Sequence, residues 1–233
     1  MTTESCCLTL SLFFGMSVFA DDNHRIDSKI ETYLRDRLTE ESQIPNARRE
    51  ELLKLARYIE KCREAGQPAK LLFVCTHNSR RSHLTQLWAK LGAVYFGLDK
   101  LESYSGGTET TAMNPRTVAA LQRIGLEITN DDRHPTNPRY SVSFSKSEPP
   151  EICFSKTLVE TPNPTENFAA IMTCSSADAS CPNVKGCEFR LSLPYEDPKV
   201  SDGTRQEAST YDAKSKEIAR EMLFVMSRVA KLP

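Results

Sequence analysis

The sequence predicts an α/β fold in which a four-stranded parallel sheet is flanked by helices and preceded by an N-terminal helical extension. Residues 70–75 and 168–173 are short apolar runs, as expected for strands that are buried on both faces of a parallel sheet. Residues 101–105 and 188–193 supply two further short strands. Helical patterns alternate with these strands, which is typical of a doubly wound sheet whose ligand site lies at the carboxyl ends of the strands.

The composition of the 233 residues is that of a folded protein of one or two domains. Apolar residues make up 39% and charged residues 26%, which excludes a disordered chain. The net charge of −1 gives no argument for a nucleic-acid partner or for an anionic membrane. No apolar stretch reaches the roughly 18 residues of a membrane span. Eight cysteines are too sparse for a disulfide scaffold, so they are better interpreted as core, catalytic or metal-binding thiols.

Three helices of the main domain are predicted from apolar periodicity and capping residues. Residues 82–96 place their apolar side chains on one helical face. The second helix begins at Pro115 and runs to Gly125, with Asn114 as its N-cap. The third helix, residues 206–232, is amphipathic and closes the chain.

The N-terminal extension is predicted to be a helical hairpin at residues 22–68. Two stretches with helical spacing of apolar residues are separated by Pro45, and charged residues occupy the opposite faces. Nothing in this hairpin suggests chemistry. We expect the main domain to occupy residues 69–233.

An insertion at residues 131–167 interrupts the α/β pattern of the main domain. It contains six of the 13 prolines of the chain. Residues 140–144 alternate apolar side chains with serine, and residues 152–158 could pair with them as a β-hairpin. We expect this insertion to lie near the rim of the active site.

The most informative segment is the polar loop between the first strand and the helix that follows it. A loop that runs onto a helix N-terminus points backbone N–H groups inwards and adds the positive end of the helix dipole, which suits a tetrahedral oxyanion. Arg81 can hold two oxygens in a bidentate fork, and the same field stabilises the thiolate of Cys75 as a nucleophile. The candidate oxyanion-binding and loop-supporting residues are Cys75, Thr76, His77, Asn78, Ser79, Arg80, Arg81 and Ser82.

Individual residues of this loop have separate expected roles. Ser82 can donate a hydrogen bond to the sulfur of Cys75 and steady it as a leaving group. Asn78 can bridge backbone groups and hold the shape of the loop. His77 fits a contribution to the positive field better than a role as a base, and Arg80 is expected to be exposed.

A catalytic acid is predicted at Asp197, which precedes Pro198 in a loop after the last strand. The proline favours an extended backbone at Asp197, which suits a side chain that reaches across a cleft. The alternative for this pair is an ordinary turn. The alternative for the first loop is a buried thiol at Cys75 and a surface arginine at Arg81.

Four motifs taken together resemble the low-molecular-weight protein tyrosine phosphatase superfamily. The resemblance covers about residues 70–231, apart from the insertion, and it implies that Ser105 contacts Asn78 and braces the loop. The motifs are the loop from Cys75 to Ser82, Ser105-Gly106-Gly107-Thr108, Asn114-Pro115 and Asp197-Pro198.

The same resemblance implies Cys75 as nucleophile, Arg81 as oxyanion clamp and Asp197 as general acid. Two further cysteines distinguish the branches of the superfamily, because Cys174 ends a strand and Cys181 follows seven positions later. This spacing resembles the thioredoxin-coupled arsenate reductases. In that branch Cys75 would attack arsenate, Cys174 would attack Cys75 and release arsenite, and Cys181 would attack Cys174 to leave a disulfide for thioredoxin.

Three functions remain open at this point. Reduction of arsenate to arsenite is the leading hypothesis, and hydrolysis of phosphomonoesters such as phosphotyrosine through a phosphocysteine is the alternative. A non-catalytic oxyanion-binding module is the third. The expected partners are a small oxyanion or phosphotyrosine substrate and thioredoxin, with no nucleic acid, no tightly bound cofactor and no metal.

Two features of the sequence bear on metal binding. The gaps between Cys174, Cys181 and Cys187 do not match the close pairs of structural zinc sites. Gln86 stands where the reductase branch tends to carry a glutamate that helps bind potassium, which puts such an ion site in doubt.

Residues 1–21 are predicted to be a leader or a possible signal segment. Residues 8–20 are apolar and end in a small residue, but no basic residue precedes them, so translation from Met16 is a further possibility. The proposed thiol chemistry needs reduced cysteines, which favours the cytoplasm.

Overall fold

The structure, a computed structural model, describes residues 26–131 and 133–231. The predicted leader lies outside the described residues. The helices are α1 Ser28–Thr39, α2 Asn46–Glu64, α3 Arg81–Tyr95, α4 Pro115–Ile124, α5 Ser175–Ser180 and α6 Glu207–Lys231. The strands are β1 Ala69–Cys75, β2 Leu101–Gly107, β3 Glu127–Asp131, β4 Arg139–Ser143, β5 Glu151–Cys153, β6 Phe168–Met172 and β7 Cys187–Ser192.

The central sheet has four parallel strands in the order β2-β1-β6-β7, so the predicted fold class is confirmed. Strands β1 and β6 occupy the middle, and β6 is buried along its whole length. The register places Cys75 opposite Gly107 of β2, and Val74 opposite Met172 of β6. The carboxyl ends of β1, β2 and β6 therefore meet at one edge of the sheet.

A second, antiparallel sheet has the order β3-β4-β5. The predicted hairpin of the insertion is confirmed, because Tyr140 of β4 pairs with Cys153 of β5. Strand β3 was not predicted from the sequence, since its residues are polar and mostly exposed. It pairs with β4 and extends the small sheet to residues that precede the insertion.

The N-terminal helices pack onto α6 and belong to the same core as the main sheet. Apolar side chains of α1 and α2 share one buried cluster with Leu71 and Phe73 of β1. Asp27 caps α1 by accepting a hydrogen bond from the Lys29 N–H at 2.9 Å. The side chains of α1 and α2 that are at most 1% exposed are Ile30, Leu34, Leu52, Leu55 and Ile59.

Helix α4 shows how local capping connects to the site. The Asn114 side chain accepts from the Arg116 N–H at 2.9 Å, and Pro115 takes the first helical position, as predicted. The Asn114 N–H donates to the Ser79 carbonyl at 2.9 Å, so the start of α4 also holds the loop after β1. None of the helices in the described ranges is both long and apolar enough to cross a lipid bilayer.

Candidate active site

The loop between β1 and α3 begins at Cys75, whose side chain is buried at the end of the strand. The Cys75 Sγ lies 3.1 Å from the Ser82 hydroxyl. The Asn78 side-chain amide donates to the same hydroxyl at 2.9 Å, which leaves the hydroxyl proton free to face the sulfur. Asn78 has a φ of 44°, in the left-handed region that asparagine tolerates better than most residues.

The rest of the loop is fastened through its carbonyl groups. The Thr76 carbonyl accepts from the Glu109 N–H at 2.8 Å and from the Thr108 hydroxyl at 3.2 Å. The His77 carbonyl accepts from the Ser155 hydroxyl at 2.9 Å. Within the described part of the chain, the backbone N–H groups of residues 77–82 have no hydrogen-bond acceptor. The loop is thus held by its carbonyls and keeps its amides available for an anion.

Gly107 of β2 allows the loop to approach the sheet closely. A Cβ atom at this position would lie 2.7 Å from the Thr76 carbonyl oxygen and 2.8 Å from the Asn78 nitrogen. Both atoms belong to the backbone, so neither can move without moving the loop. The shape of the loop therefore requires glycine at position 107.

Ser105 and His83 support the loop from the buried side. The resemblance implied a contact between Ser105 and Asn78, but the Ser105 hydroxyl lies 3.2 Å from Nδ1 of His83 instead. Asn78 uses its side chain elsewhere, because its Oδ1 accepts from the Lys156 N–H at 2.9 Å. Burial, followed by the positive charge of Lys156, lowers the pKa of His83 to about 3, so this ring is neutral at physiological pH.

Arg81 and Asp197 are in direct contact. This proximity is what the predicted roles require, because an anion clamp and a general acid must reach the same bound anion. The Arg81 Nη2 donates to the Asp197 carboxylate at 2.7 Å, and Nη1 donates to the Tyr195 carbonyl at 3.0 Å. The Arg81 Nε is buried and has no partner among the described residues. Asp197 also accepts from the Lys199 N–H at 3.1 Å, which caps a short 3₁₀ turn at Pro198–Ser201.

Arg80 differs from its prediction, since its side chain is only 12% exposed. Its Nε donates to the Tyr211 hydroxyl at 2.8 Å, and Nη2 lies 3.5 Å from Asp202. The adjacent α6 covers this side chain, which no local pattern could indicate. His77 is half exposed and its ring lies 3.4 Å from the Glu109 carboxylate.

Lys156 is a buried residue that the sequence analysis did not select. It is 2% exposed, and burial lowers the pKa of its amine. The amine lies 4.7 Å from the centre of the Phe154 ring and 3.4 Å from the Phe154 carbonyl. The Lys156 carbonyl accepts from the Gly107 N–H at 2.9 Å, so the backbone of Lys156 joins the insertion to β2 as well as to Asn78 of the loop. No signal in the sequence distinguishes this lysine from a surface one.

Cys174 lies beside the loop at the end of β6. Its side chain is buried, and its Sγ lies 3.5 Å from the Thr76 hydroxyl. The same sulfur accepts from the Ala177 N–H at 3.3 Å and so caps the N-terminus of α5. Cys75 and Cys174 belong to one buried cluster at the ends of neighbouring strands.

Cys181 is partly buried at the other end of α5. Cys181 lies seven positions after Cys174, and at the helical rise this separates the two Cα atoms by about 10 Å, whereas disulfide-bonded Cα atoms are about 4.4–6.8 Å apart. Arg190 holds α5 in place by donating to the Cys181 carbonyl at 3.1 Å and to the Asp178 carbonyl at 2.8 Å. Sulfur–sulfur contact between the two ends therefore requires α5 to open.

Of the remaining described cysteines, Cys187 packs against the buried cluster that contains Cys174. Cys153 lies in the main core, and Cys62 packs against that core. All six described cysteines are free thiols, and burial raises the pKa of Cys153 to about 12. No group of three or more His, Cys, Asp or Glu side chains within the described ranges could hold a metal ion. Gln86 donates to the Ser103 carbonyl at 3.3 Å.

Comparison with known proteins identifies the family. No protein-family model matches the chain. An arsenate reductase of Bacillus cereus strain G9842 is 30% identical over 128 residues, which cover 55% of this chain and 75% of that protein. The chain belongs to the arsenate reductase family. A second arsenate reductase of this family, from Bacillus cereus strain Q1, is 26% identical over 128 residues, covering 55% of this chain and 75% of its own length. Arsenate reductase 2 of Staphylococcus epidermidis strain RP62A is 26% identical over 130 residues, covering 55% of this chain and 77% of its own length.

Solved structures similar to the chain include low-molecular-weight phosphatases. The phosphotyrosine phosphatase of Vibrio cholerae O395 matches with a TM-score of 0.47 and 12% identity, over 68% of this chain and 95% of that one. The protein tyrosine phosphatase of T. tengcongensis matches with a TM-score of 0.46 and 15% identity, over 68% of this chain and 98% of that one. The arsenate reductase resemblance found in the sequence is confirmed by the relatives above, and the chain is a cysteine-based enzyme.

Proposed function

We propose that the chain reduces arsenate to arsenite with a relay of three thiols. In the first step the Cys75 thiolate attacks arsenic, a sulfur–arsenic bond forms, and one oxygen leaves as water after Asp197 protonates it. Arg81 and the free N–H groups of the loop bind the remaining oxygens. Ser82 stabilises the sulfur by hydrogen bonding at the 3.1 Å distance described above.

The second and third steps move the electrons. The Cys174 thiolate attacks the Cys75 sulfur, a disulfide forms, and the sulfur–arsenic bond breaks with its electron pair remaining on arsenic, which leaves as arsenite. The Cys181 thiolate then attacks the Cys174 sulfur and returns Cys75 to its thiolate form. A dithiol reductant of the thioredoxin type reduces the Cys174–Cys181 disulfide and closes the cycle. Because the relay needs reduced thiols, the proposed compartment is the cytoplasm.

One observation carries this proposal over simple hydrolysis. Cys174 lies at the end of the strand next to Cys75, and its sulfur is 3.5 Å from the hydroxyl of Thr76, the residue that follows the nucleophile. Hydrolysis itself uses no second thiol, although one could protect a phosphatase by capturing an oxidised Cys75. Disulfide exchange needs one within reach of the first sulfur.

The third step requires α5 to unfold, and the composition of this helix supports that requirement. It has six residues, SSADAS, of which three are serine. Serine and aspartate compete with the helix through local hydrogen bonds, so such a short helix is marginal by itself. Opening α5 would bring Cys181 to Cys174 and expose the new disulfide to the reductant.

Phosphomonoester hydrolysis remains the second candidate, because the contact between Arg81 and Asp197 suits both reactions. The phosphatase would use Cys75, Arg81 and Asp197 alone and would pass through a phosphocysteine. The buried nucleophile and this acid disfavour the third candidate, a non-catalytic module. Arsenate and phosphate have nearly the same charge and shape, so binding alone cannot separate the two reactions.

The test compares both reactions in matched variants. Purified protein is assayed with arsenate, thioredoxin, thioredoxin reductase and NADPH, and separately with p-nitrophenyl phosphate. We expect Cys174→Ser and Cys181→Ser each to lower arsenate-dependent NADPH oxidation by at least about 100-fold, because each breaks a covalent step. Hydrolysis should stay within about twofold of wild type in both variants.

Cys187→Ser is the matched control, since Cys187 is partly buried and packs against the same cluster as Cys181. It should leave both rates unchanged. Robust hydrolysis by the wild type, with no arsenate-dependent NADPH oxidation, would reject the relay in favour of the phosphatase.

A further inference from the structure

A buried ion-pair network connects α2 to the segment that carries Asp197. Arg48 of α2 donates from Nε to both carboxylate oxygens of Glu221 of α6, each at 3.0 Å. The Tyr195 hydroxyl donates to the same carboxylate at 2.7 Å. The Arg48 guanidinium also lies 4.6 Å from the centre of the Tyr195 ring. Glu221 is 5% exposed and Arg48 is 16% exposed as side chains, so solvent screens the network little.

The backbone of Tyr195 continues this network into the site. Its carbonyl accepts from Arg81 Nη1 at 3.0 Å, and its N–H donates to the Thr173 carbonyl at 3.1 Å. Asp197 follows two residues later and accepts from Arg81 Nη2 at 2.7 Å. The tyrosine thus has its side chain fixed by two helices, while its backbone contacts the proposed clamp.

We propose that Arg48, Glu221 and Tyr195 are positioning residues that set the place of Arg81 and Asp197. Through Arg48, helix α2 of the N-terminal extension then contributes to the active site, although the sequence pattern assigned this extension no chemistry. This inference rests on the proposed function, because it requires Arg81 and Asp197 to act on a bound anion. None of the three residues itself touches the substrate.

The physical basis is the rigidity of a buried network in which Glu221 is held by both Arg48 and Tyr195. Burial, followed by the negative charge of Glu221, raises the pKa of Tyr195 well above its ordinary value, so its hydroxyl stays a donor across the working pH range. Removing the hydroxyl releases the Tyr195 end of this loop from Glu221 of α6, while Asp202 stays bound to Tyr211 of α6. An acid or clamp displaced by about 1 Å can cost up to about 100-fold in rate, so a small shift is measurable.

The main test is Tyr195→Phe, which keeps the ring and removes the hydrogen bond to Glu221. Hydrolysis of p-nitrophenyl phosphate is measured as kcat and KM across pH 5–8, together with arsenate inhibition and the melting temperature. We expect kcat to fall about tenfold and KM to change less than twofold, because proton donation by Asp197 is affected more than anion binding. The alkaline limb of the pH profile should change, since Asp197 must be protonated to act as the acid. Arg48→Met should give the same signature, and the double variant should lose no more than either single variant, because both act through Glu221.

Arg63→Met is the matched control. Arg63 also joins α2 to α6, through a hydrogen bond of 2.6 Å to the Val229 carbonyl, but it has no contact with Tyr195. It should lower the melting temperature without changing kcat or the pH profile. Arg48→Lys, which keeps the charge opposite Glu221, should recover part of the lost kcat.

The outcomes separate the two proposals. Tyr195→Phe and Arg48→Met enzymes that are folded and retain the wild-type kcat and pH profile overturn the positioning role and leave the proposed function standing. Equal losses of kcat in Arg63→Met and Tyr195→Phe also overturn it, since the effect would then come from general destabilisation. A wild type that neither hydrolyses the ester nor oxidises NADPH with arsenate, thioredoxin and thioredoxin reductase would overturn the proposed function and this inference with it.

Discussion

The loop at residues 75–82 and the segment at residues 174–181 follow neighbouring parallel strands, but they are held in opposite ways. The carbonyls of the first are fastened to β2, to α4 and to the insertion, and its apolar surroundings are buried. The second is a helix of six residues, most of them exposed, which is fixed mainly through Arg190 and through the sulfur of Cys174.

This difference matches two different demands on a cysteine. A nucleophile that faces an anion gains from a preorganised cradle, because dipoles that are already oriented cost no reorganisation during the reaction. A thiol that must travel about 10 Å needs an element that opens at low cost. Substitutions that loosen the loop at residues 75–82, or that remove the contacts holding the segment at residues 174–181, therefore test this comparison.

The largest effect is expected for Cys75→Ser in the rigid region. Both arsenate reduction and ester hydrolysis should fall by at least about 1000-fold, since both begin with attack by this sulfur. Cys62→Ser serves as the control, because Cys62 is a partly buried free thiol in α2. Turnover that survives in Cys75→Ser at more than a few per cent would refute the mechanism.

The next largest effect is expected for Gly107→Ala, which forces the loop at residues 75–82 away from β2. The new Cβ would lie 2.5 Å from the Glu109 carbonyl oxygen, and we expect about 1–3 kcal/mol of destabilisation in urea unfolding. Ester hydrolysis should fall at least about tenfold. Gly92→Ala is the control: its Cβ would meet side-chain atoms of Met226 and Leu223, the closest at 3.0 Å, so activity should be preserved. Equal activity in the two variants would show that the loop is more adaptable than the comparison assumes.

A third prediction concerns pH and the buried ring beneath the loop. The pKa of His83 is about 3 in the folded protein and 6.5 for an ordinary histidine, so below pH 6.5 the unfolded chain binds a proton that the folded protein does not. Stability should therefore fall by about 1.4 kcal/mol for each pH unit between those two values as the pH decreases. In His83→Asn this contribution is absent, and the dependence should be flatter by that amount.

The measurement for this prediction is urea unfolding at pH 7, 6 and 5. His77→Asn provides the control, because it replaces a half-exposed ring of the same loop and leaves the buried His83 ring in place. Parallel curves for His83→Asn and the wild type would contradict a neutral buried ring.

The smallest effect is expected for Arg190→Met, which removes restraints on α5. Losing the hydrogen bonds to Asp178 and to the Cys181 carbonyl should speed alkylation of Cys181 by iodoacetamide about threefold to tenfold, measured by mass spectrometry. Cys75 alkylation should stay unchanged. Arg133→Met, which removes an exposed pair with Asp131, is the control. Identical alkylation rates in both variants would mean that Arg190 does not restrain α5.

The main fold could be predicted because its signals are local. The apolar runs at residues 70–75 and 168–173 and the capping pair Asn114-Pro115 each depend on a few adjacent residues, and the structure contains the corresponding elements. Strand β3 could not be predicted, since its residues EITND are polar and its pairing depends on β4, which follows a turn.

The candidate site could be predicted only in part, for a related reason. The loop from Cys75 to Ser82 is continuous in the sequence, so its residue types indicate an oxyanion cradle. The burial of Arg80 depends on Tyr211, which lies 131 positions away, and the partner of Tyr195 is 26 positions away on α6. Arg48 and Glu221 are separated by 173 positions, and no spacing rule connects them.

The contacts of the insertion with the loop determine which parts of the insertion can differ in sequence. Ser155 and the backbone of Lys156 form a seam to His77, Asn78 and Gly107, whereas the turn between β4 and β5 contributes nothing to that seam. Changes in length and composition at residues 145–150 therefore leave these hydrogen bonds in place. A replacement insertion that does not restore the hydrogen bonds of Ser155 and Lys156 would leave the loop at residues 75–82 unsupported on that side.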